Sequence, residues 1–424
     1  MKTRTLFRTS PAVMCLPIAI GITVLYYTQE AADQIHYFPY PWAPLLVQRP
    51  IEYMAAPTYA LVAALAAWSA ARVREAGTWQ LAAYRPTWQV IAQALVPVVT
   101  VGWLMFVASA AWAFTERPTW PTPASLPPLL LTCVLTVAWA VIGFTVGHHV
   151  KPLIAAPVLA CGVFIIVAYP HAMQPFALRH LSGEYFAHLG VGESATAESM
   201  AAQMMPTLGV AAAVALVWAR RRPVLRALTA TALVVAPTLA AYGIVKDWDY
   251  NPSLNTHVAL ACQGTRPQVC LPEQGAHDLP EVHAQVARAF RVLETYAVTT
   301  SLPQRVVDQL AYGRFTQQNT DRTAYMQLGI AHHKGRLDRS IVAGAVRFGC
   351  DADPKLARTI HFWLEKKLGD ITPYQRVTAE DPYYTRAQYQ QAVATVERVS
   401  AQSVGEQKQW FAKTKAAACE GRPT

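Results

Sequence analysis

Four cysteines in the last third of the chain, Cys262, Cys270, Cys350 and Cys419, are the side chains whose spacing points most directly to chemistry. Cys262 and Cys270 close a short loop containing Gly264 and Pro267, which suits a disulfide, and Cys350 and Cys419 are then left to pair with each other. An even count of thiols fits such a framework in an oxidising compartment. Zinc is the competing use of four thiols, but a second close Cys-x-x-Cys pair and a His pair at ligand spacing are both missing. Cys15, Cys133 and Cys161 lie within apolar runs, where a thiol behaves as a small buried hydrophobe.

The histidines offer less. His277 and His283 flank an expected helix start, and His332 and His333 are adjacent in an expected loop. Neither pair has the i, i+4 spacing that places two ligands on one helical face, so surface or capping roles are favoured over metal binding or catalysis. The sequence holds no His-Glu-x-x-His, no Gly-x-Ser-x-Gly and no Gly-x-x-x-x-Gly-Lys-Ser/Thr. The chain therefore reads as a non-enzyme without a cofactor, unable by itself to cradle ATP phosphates.

What positions these residues is a sharply divided chain. Hydrophobic residues make up 53% of the 424, and charged residues 15%, against roughly 25% charged in soluble domains. Between about residue 9 and residue 245 charges are sparse and sit near the ends of apolar runs; from Lys246 onward the composition is that of a soluble domain. This predicts a membrane domain over 1–248 and a separate domain over 249–424. A span needs about 20 apolar residues to cross ~30 Å of hydrocarbon. Seven stretches qualify, roughly 10–28, 53–71, 89–114, 128–148, 152–169, 204–219 and 227–245.

Lys2, Arg4, Arg8, Arg72, Arg74, Arg85, Lys151, Arg220, Arg221, Arg222 and Arg226 fall on one side, and Arg49, Arg117 and Arg179 on the other. The basic side is expected to be cytoplasmic, which makes the tail extracytoplasmic in a multi-pass plasma-membrane protein. The net charge of +10 reflects this bias; no basic stripe interleaved with aromatics points to nucleic acid. No small-x-small cleavage site follows the first apolar run, and its removal would leave the tail on the same side. The span centres carry no Asp, Glu, Lys or Arg, Gln93 being their most polar group, which disfavours ion-coupled transport. Pro97, Pro157 and Pro237 mark expected kinks, and Tyr37, Phe38, Tyr40 and Trp42 an interfacial aromatic belt, with a substrate gate as the rival reading.

Between the second and third spans runs Arg72-Val-Arg-Glu-Ala-Gly-Thr-Trp-Gln-Leu-Ala-Ala-Tyr-Arg-Pro-Thr-Trp88. Glu75, Gly77, Thr78, Leu81 and Arg85 resemble, in order and place, the coupling segment of type-2 ABC exporter (ABC-2) permeases. There a short amphipathic helix on the membrane face docks on an ATPase. The resemblance covers the first ~225 residues and implies an ATPase supplied in trans and a homo- or heterodimer of permease subunits. It also implies an external segment between the fifth and sixth spans that forms short re-entrant helices. The stretch from His171 to Met204, with Arg179, Glu184, Glu193 and Glu198, takes that place.

In the tail, alternation over 256–272 reads as a short β-hairpin around the first Cys pair. Asp278-Leu-Pro-Glu281 reads as a capped helix start, continued by Val282, Val286, Ala289, Phe290, Leu293 and Ala297. Asp353-Pro354 opens a helix through Leu356, Ile360, Leu364 and Leu368 to Gly369; Asp381-Pro382 opens a third, and a fourth carries Trp410 to Cys419. Cys262 to Glu273, Pro303 to Val307 and the Trp410…Cys419 ending resemble the tails of actinobacterial membrane proteins related to ABC permeases, whose external domain has no assigned function. The expected fold is an all-α polytopic bundle plus a mainly α-helical extracytoplasmic domain. The expected function is the membrane subunit of an ABC-type exporter with an external accessory domain. The alternative is a membrane-anchored receptor or immunity protein whose external domain binds a ligand or protein.

Overall fold

The computed structural model describes residues 10–77, 86–218, 223–256, 258–298, 302–346, 348–369 and 385–420. The chain forms two compact units, Met1–Asn255 and Thr256–Thr424.

Six helices in the first unit are long and apolar enough to cross a membrane: Ala43–Glu75, Thr87–Glu116, Pro123–His149, Pro152–Ala172, Ala197–Trp218 and Pro223–Val245. The chain is thus a polytopic membrane protein. The first of the seven expected spans, 10–28, is not among them. It folds as Pro11–Met14 (α1), a turn at Cys15, Leu16–Tyr26 (α2), a π-helical stretch Tyr27–Ala31 and Ala32–His36 (α3). Pro17 has no N–H to continue the ladder, so the helix restarts after Cys15. The α-helical parts of the six long elements are α4 (Ala43–Glu75), α5 (Thr87–Glu116), α6 (Leu126–His149), α7 (Pro152–Ala168), α8 (Ala197–Ala215) and α9 (Pro223–Val245). Pro97, Pro157 and Pro237 lie inside α5, α7 and α9, which continue through them.

Helix α4 is the hub, buried along most of its length, whereas α7 and α9 keep most of their apolar surface outward. Lipid is as apolar as Leu, so association in a bilayer relies on close packing of small residues. Here Gly143 and Gly147, one turn apart on α6, lie on Ala63 and Ala67 of α4. A Cβ on either glycine would come within 2.2 and 2.3 Å of the respective Ala carbonyl oxygen. At one end of the hub Arg74 donates to the His148 carbonyl at the end of α6 (2.6 Å), just before Lys151 opens α7. At the other end Arg117 donates to the carbonyls of Phe38 and Pro39 (3.1 and 2.7 Å), and Glu116 pairs with His36 (3.2 Å).

The second unit is mainly helical, as expected, with a small four-stranded sheet. The expected hairpin is present as Leu260–Gln263 (β2) against Gln268–Pro272 (β3), with Cys262 opposite Cys270 and bonded to it. Two strands that the sequence reading missed, Arg305–Asp308 (β4) and Thr323–Met326 (β5), extend it in parallel to the order β2-β3-β4-β5. Parallel neighbours need a crossover, and Leu279–Thr295 (α10) supplies the one between β3 and β4. Its stripe Val282, Val286, Ala289, Phe290 and Leu293 is buried as expected, but the helix ends at Thr295 and Ala297 turns left-handed (φ 53°). After β5 come Leu328–His333 (α11) and Leu337–Ala345 (α12), then Pro354–Leu368 (α13), Arg386–Ser400 (α14) and Val404–Cys419 (α15).

Asp353 caps α13 through the amides of Lys355 and Leu356, and Gly369 (φ 125°) ends it. The expected helix start at Asp381-Pro382 lies outside the described residues; α14 begins with a Thr385–Gln388 capping box. Trp363 anchors the core against Tyr296, Trp410 and Phe411, with ring centroids 5.1 to 5.9 Å apart. Cys350 is bonded to Cys419, fastening the end of α15 to the loop before α13.

Candidate functional site

Helix α4 starts ten residues earlier than the apolar run predicts. Gln48, Arg49 and Glu52 therefore belong to the helix rather than to a loop, and all three are buried. Gln48 and Glu52 are four residues apart and Arg49 and Glu52 three, so they share a face. The Gln48 amide donates to Glu52 and to the Tyr185 carbonyl (2.9 Å). Arg49 lies 3.9 Å from one Glu52 oxygen, and His188 Nε2 lies 3.7 Å from the other. Arg49 also meets Nδ1 of His188. His188 thus stands between the guanidinium and the carboxylate, held on a left-handed backbone (φ 43°) that non-glycine residues seldom adopt.

The partners come from the lobe over residues 169–196. The short re-entrant helices implied there are 3₁₀ turns, Tyr169–Ala172 and Phe176–Leu181, followed by a short strand Glu193–Ala195 (β1). Arg179, Glu184 and Glu193, expected as external charges, are buried; Glu198 alone of the four is exposed, in the first turn of α8. Arg179 donates to the carbonyls of His171 (2.9 Å) and Tyr250 (3.2 Å) and stacks over the Tyr250 ring at 3.8 Å. His171 meets Glu184 at 2.8 Å. Burial pushes the Glu184 carboxyl up from its usual range, opposed by the hydrogen bond and charge of His171. His180, which contacts the Asp249 carbonyl at 2.9 Å, is pushed down, chiefly by burial. Gln203 of α8 accepts from the Gly183 amide (2.9 Å), and Trp42 donates to the Glu193 carbonyl (2.7 Å).

This is a clasp rather than an open pocket. Charged and amide groups of α4 are taken up by the lobe, and removing one partner of such a buried pair costs about 3–5 kcal/mol because the other is left uncompensated. Among the described residues, Gln48 Oε1, Arg49 Nε, His171 Nδ1 and Arg179 Nε make no hydrogen bond. The sequence signal was the spacing Gln48, Arg49, Glu52. Ending the span at residue 53 concealed it.

The opposite end of α4 carries the expected coupling residues. Glu75 is its exposed last residue, and Gly77 (φ 61°) turns the chain out of the helix. Thr78, Leu81 and Arg85 lie outside the described residues. In the aromatic run only Tyr37 is strongly exposed, Tyr40 is buried, and Trp42 points its N–H at the lobe, so an outward-facing belt does not describe it. No protein-family model, no curated protein and no solved structure matches this chain.

Proposed function

We propose that the chain is the membrane-spanning subunit of an ABC-type exporter, driven by a separately encoded ATPase and paired with a second permease subunit. The observation that carries this reading is α4 itself. One helix of 33 residues, about 50 Å long and continuous through Pro50 and Pro57, leads from the Arg49–Glu52–His188 clasp to Glu75 at the basic end, with Gly77 just beyond. A rod of that length transmits a displacement delivered at its basic end to the lobe that precedes α8.

In this reading the basic end, with Arg72, Arg74 and Lys151, faces the cytoplasm. On that reading the last span, Pro223–Val245, starts on the cytoplasmic side beside Arg226, and the tail is extracytoplasmic whatever the N-terminal run does. Two disulfides in the tail support an oxidising location. The test is purification of the tagged chain from crosslinked native membranes. An ATP-binding cassette protein should accompany it, be lost on Glu75→Ala with Gly77→Val, and be retained in Arg49→Ala, which should instead lose nucleotide-driven protection of the lobe from protease. Absence of any such ATPase, or its undiminished retention in the Glu75/Gly77 variant, refutes the proposal.

A further inference from the structure

Three groups that the sequence keeps apart converge in the second unit. His277 lies in the turn before α10, Asp278 is the N-cap residue of α10, and His333 is the last residue of α11. His277 Nε2 is 3.1 Å from one oxygen of Asp278, and His333 Nε2 is 2.8 Å from the other. One donor atom from each residue lies within 4.8 Å of the others.

Asp278 already has a helical backbone (φ −84°, ψ −14°), so its side chain is not turned back to cap the first turn of α10. Its two oxygens instead face the two imidazoles. The capping box expected from Asp278 and Glu281 is therefore not formed, and Glu281 instead lies 3.9 Å from His332 beside the cluster. The far side of the cluster is set by a buried anchor. Asp308, at the end of β4, accepts from the amides of Leu310 and Leu328 (both 3.2 Å) and of Gly329 (2.9 Å). That carboxyl fixes the start of α11, and with it the position of His333 one and a half turns on.

We propose that His277, Asp278 and His333 bind a divalent first-row transition ion, zinc being the one best suited to two imidazoles and one carboxylate. Metal–ligand bonds of about 2.0–2.2 Å in a tetrahedral array put the ligand atoms about 3.3–3.5 Å apart. The contacts of His333 and His277 with Asp278, 2.8 and 3.1 Å, are slightly shorter than that value, and all three donor atoms lie within 4.8 Å of one another, so small rotations of exposed rings complete the set. Three protein ligands leave a fourth position for water or an external group. With the His277 and His333 side chains 68% and 41% exposed, the ion exchanges with solvent and is not a folding nucleus. Calcium and magnesium, which favour oxygen donors, are disfavoured by the two nitrogens.

The experiment uses the full chain in detergent, purified on a tag without histidine and titrated calorimetrically with zinc chloride. Cobalt(II) serves as the spectroscopic probe. One site is expected that His277→Ala weakens about tenfold or more, the scale on which disturbed metal sites respond, and that His277→Ala with His333→Ala abolishes. Cobalt should give visible ligand-field bands without thiolate charge transfer, and these bands should vanish in the double variant. His277 is on an exposed turn, so the single variant reports binding even if the double one unfolds. Absence of binding by either ion, affinity unchanged in His277→Ala, or equal affinity for calcium overturns the assignment.

Discussion

Glu365 offers the sharpest test of how the second unit is held. It lies on α13 one turn after His361, only 3% exposed, and its Oε1 makes no hydrogen bond among the described residues. Burial pushes its carboxyl up to about 8 from 4.5, opposed by the nearby Arg339 charge. A carboxyl whose folded value is raised binds its proton more tightly in the native state. The fold is therefore favoured at low pH and loses stability as pH rises from 4.5 through about 8. One pH unit of differential ionisation corresponds to about 1.36 kcal/mol, so between pH 5 and pH 7.5 this residue should destabilise the unit by about 3 kcal/mol. Glu365→Gln keeps the shape and removes the ionisation. The variant should thus gain about 3 kcal/mol on the wild type across that interval, an increase in midpoint of about 6–12 °C for a unit of this size. The assay is thermal proteolysis of the full chain in detergent at both pH values, read as loss of the intact tail. His361, pushed down to about 4 chiefly by burial and further by Arg339, acts in the opposite sense and loses stability as pH falls from 6.5. It is common to both proteins and cancels in the comparison. A Gln variant whose advantage is the same at pH 5 and pH 7.5 would show that Glu365 is solvated or paired as an anion, and the reasoning would fail.

Gly143→Ala should destabilise the bundle by about 1–3 kcal/mol, because a Cβ there would sit 2.2 Å from the Ala63 carbonyl oxygen. Gly162→Ala, where a Cβ meets nothing within 4 Å, should be neutral or stabilising; thermal denaturation in one detergent compares the two. Loop-closure entropy makes the Cys350–Cys419 bond, with a separation of 69, worth about 4 kcal/mol, and the Cys262–Cys270 bond, with a separation of 8, about 2–3 kcal/mol. Paired Cys→Ala replacements should therefore rank in that order in denaturant midpoints. Asp308→Ala strips three amides of their acceptor and should cost several kcal/mol, each unmet group costing about 1–3. Because burial raises the Asp308 carboxyl to about 6 from 3.8, its contribution to stability is greatest below 3.8 and declines as pH rises through about 6; Asp308→Ala should remove that decline.

What the sequence made legible follows from which signals are local. Six long apolar runs and the Cys262–Cys270 pair could be read directly, because span length and a short cysteine loop depend on neighbours along the chain; Cys350–Cys419 followed only as the remaining pair. Strands β4 and β5 were missed because each is four residues long, too short for alternation to separate them from a loop. They exist because β3 and α10 give Val306 and Ala324 somewhere to be buried. The clasp was missed for a related reason. Arg49 and Glu52 break the hydropathy that defines a span, so a sequence-based boundary falls just after them, at residue 53. In the fold they remain helical because the lobe from 169–196 supplies the partners that water would otherwise supply. The same logic applies to His277 and His333: lying 56 residues apart, they meet only because Asp308 pins α11 against the end of β4. Polar residues at the ends of expected elements are thus where hydropathy stops being informative. In this chain they mark both the clasp and the histidine–aspartate cluster.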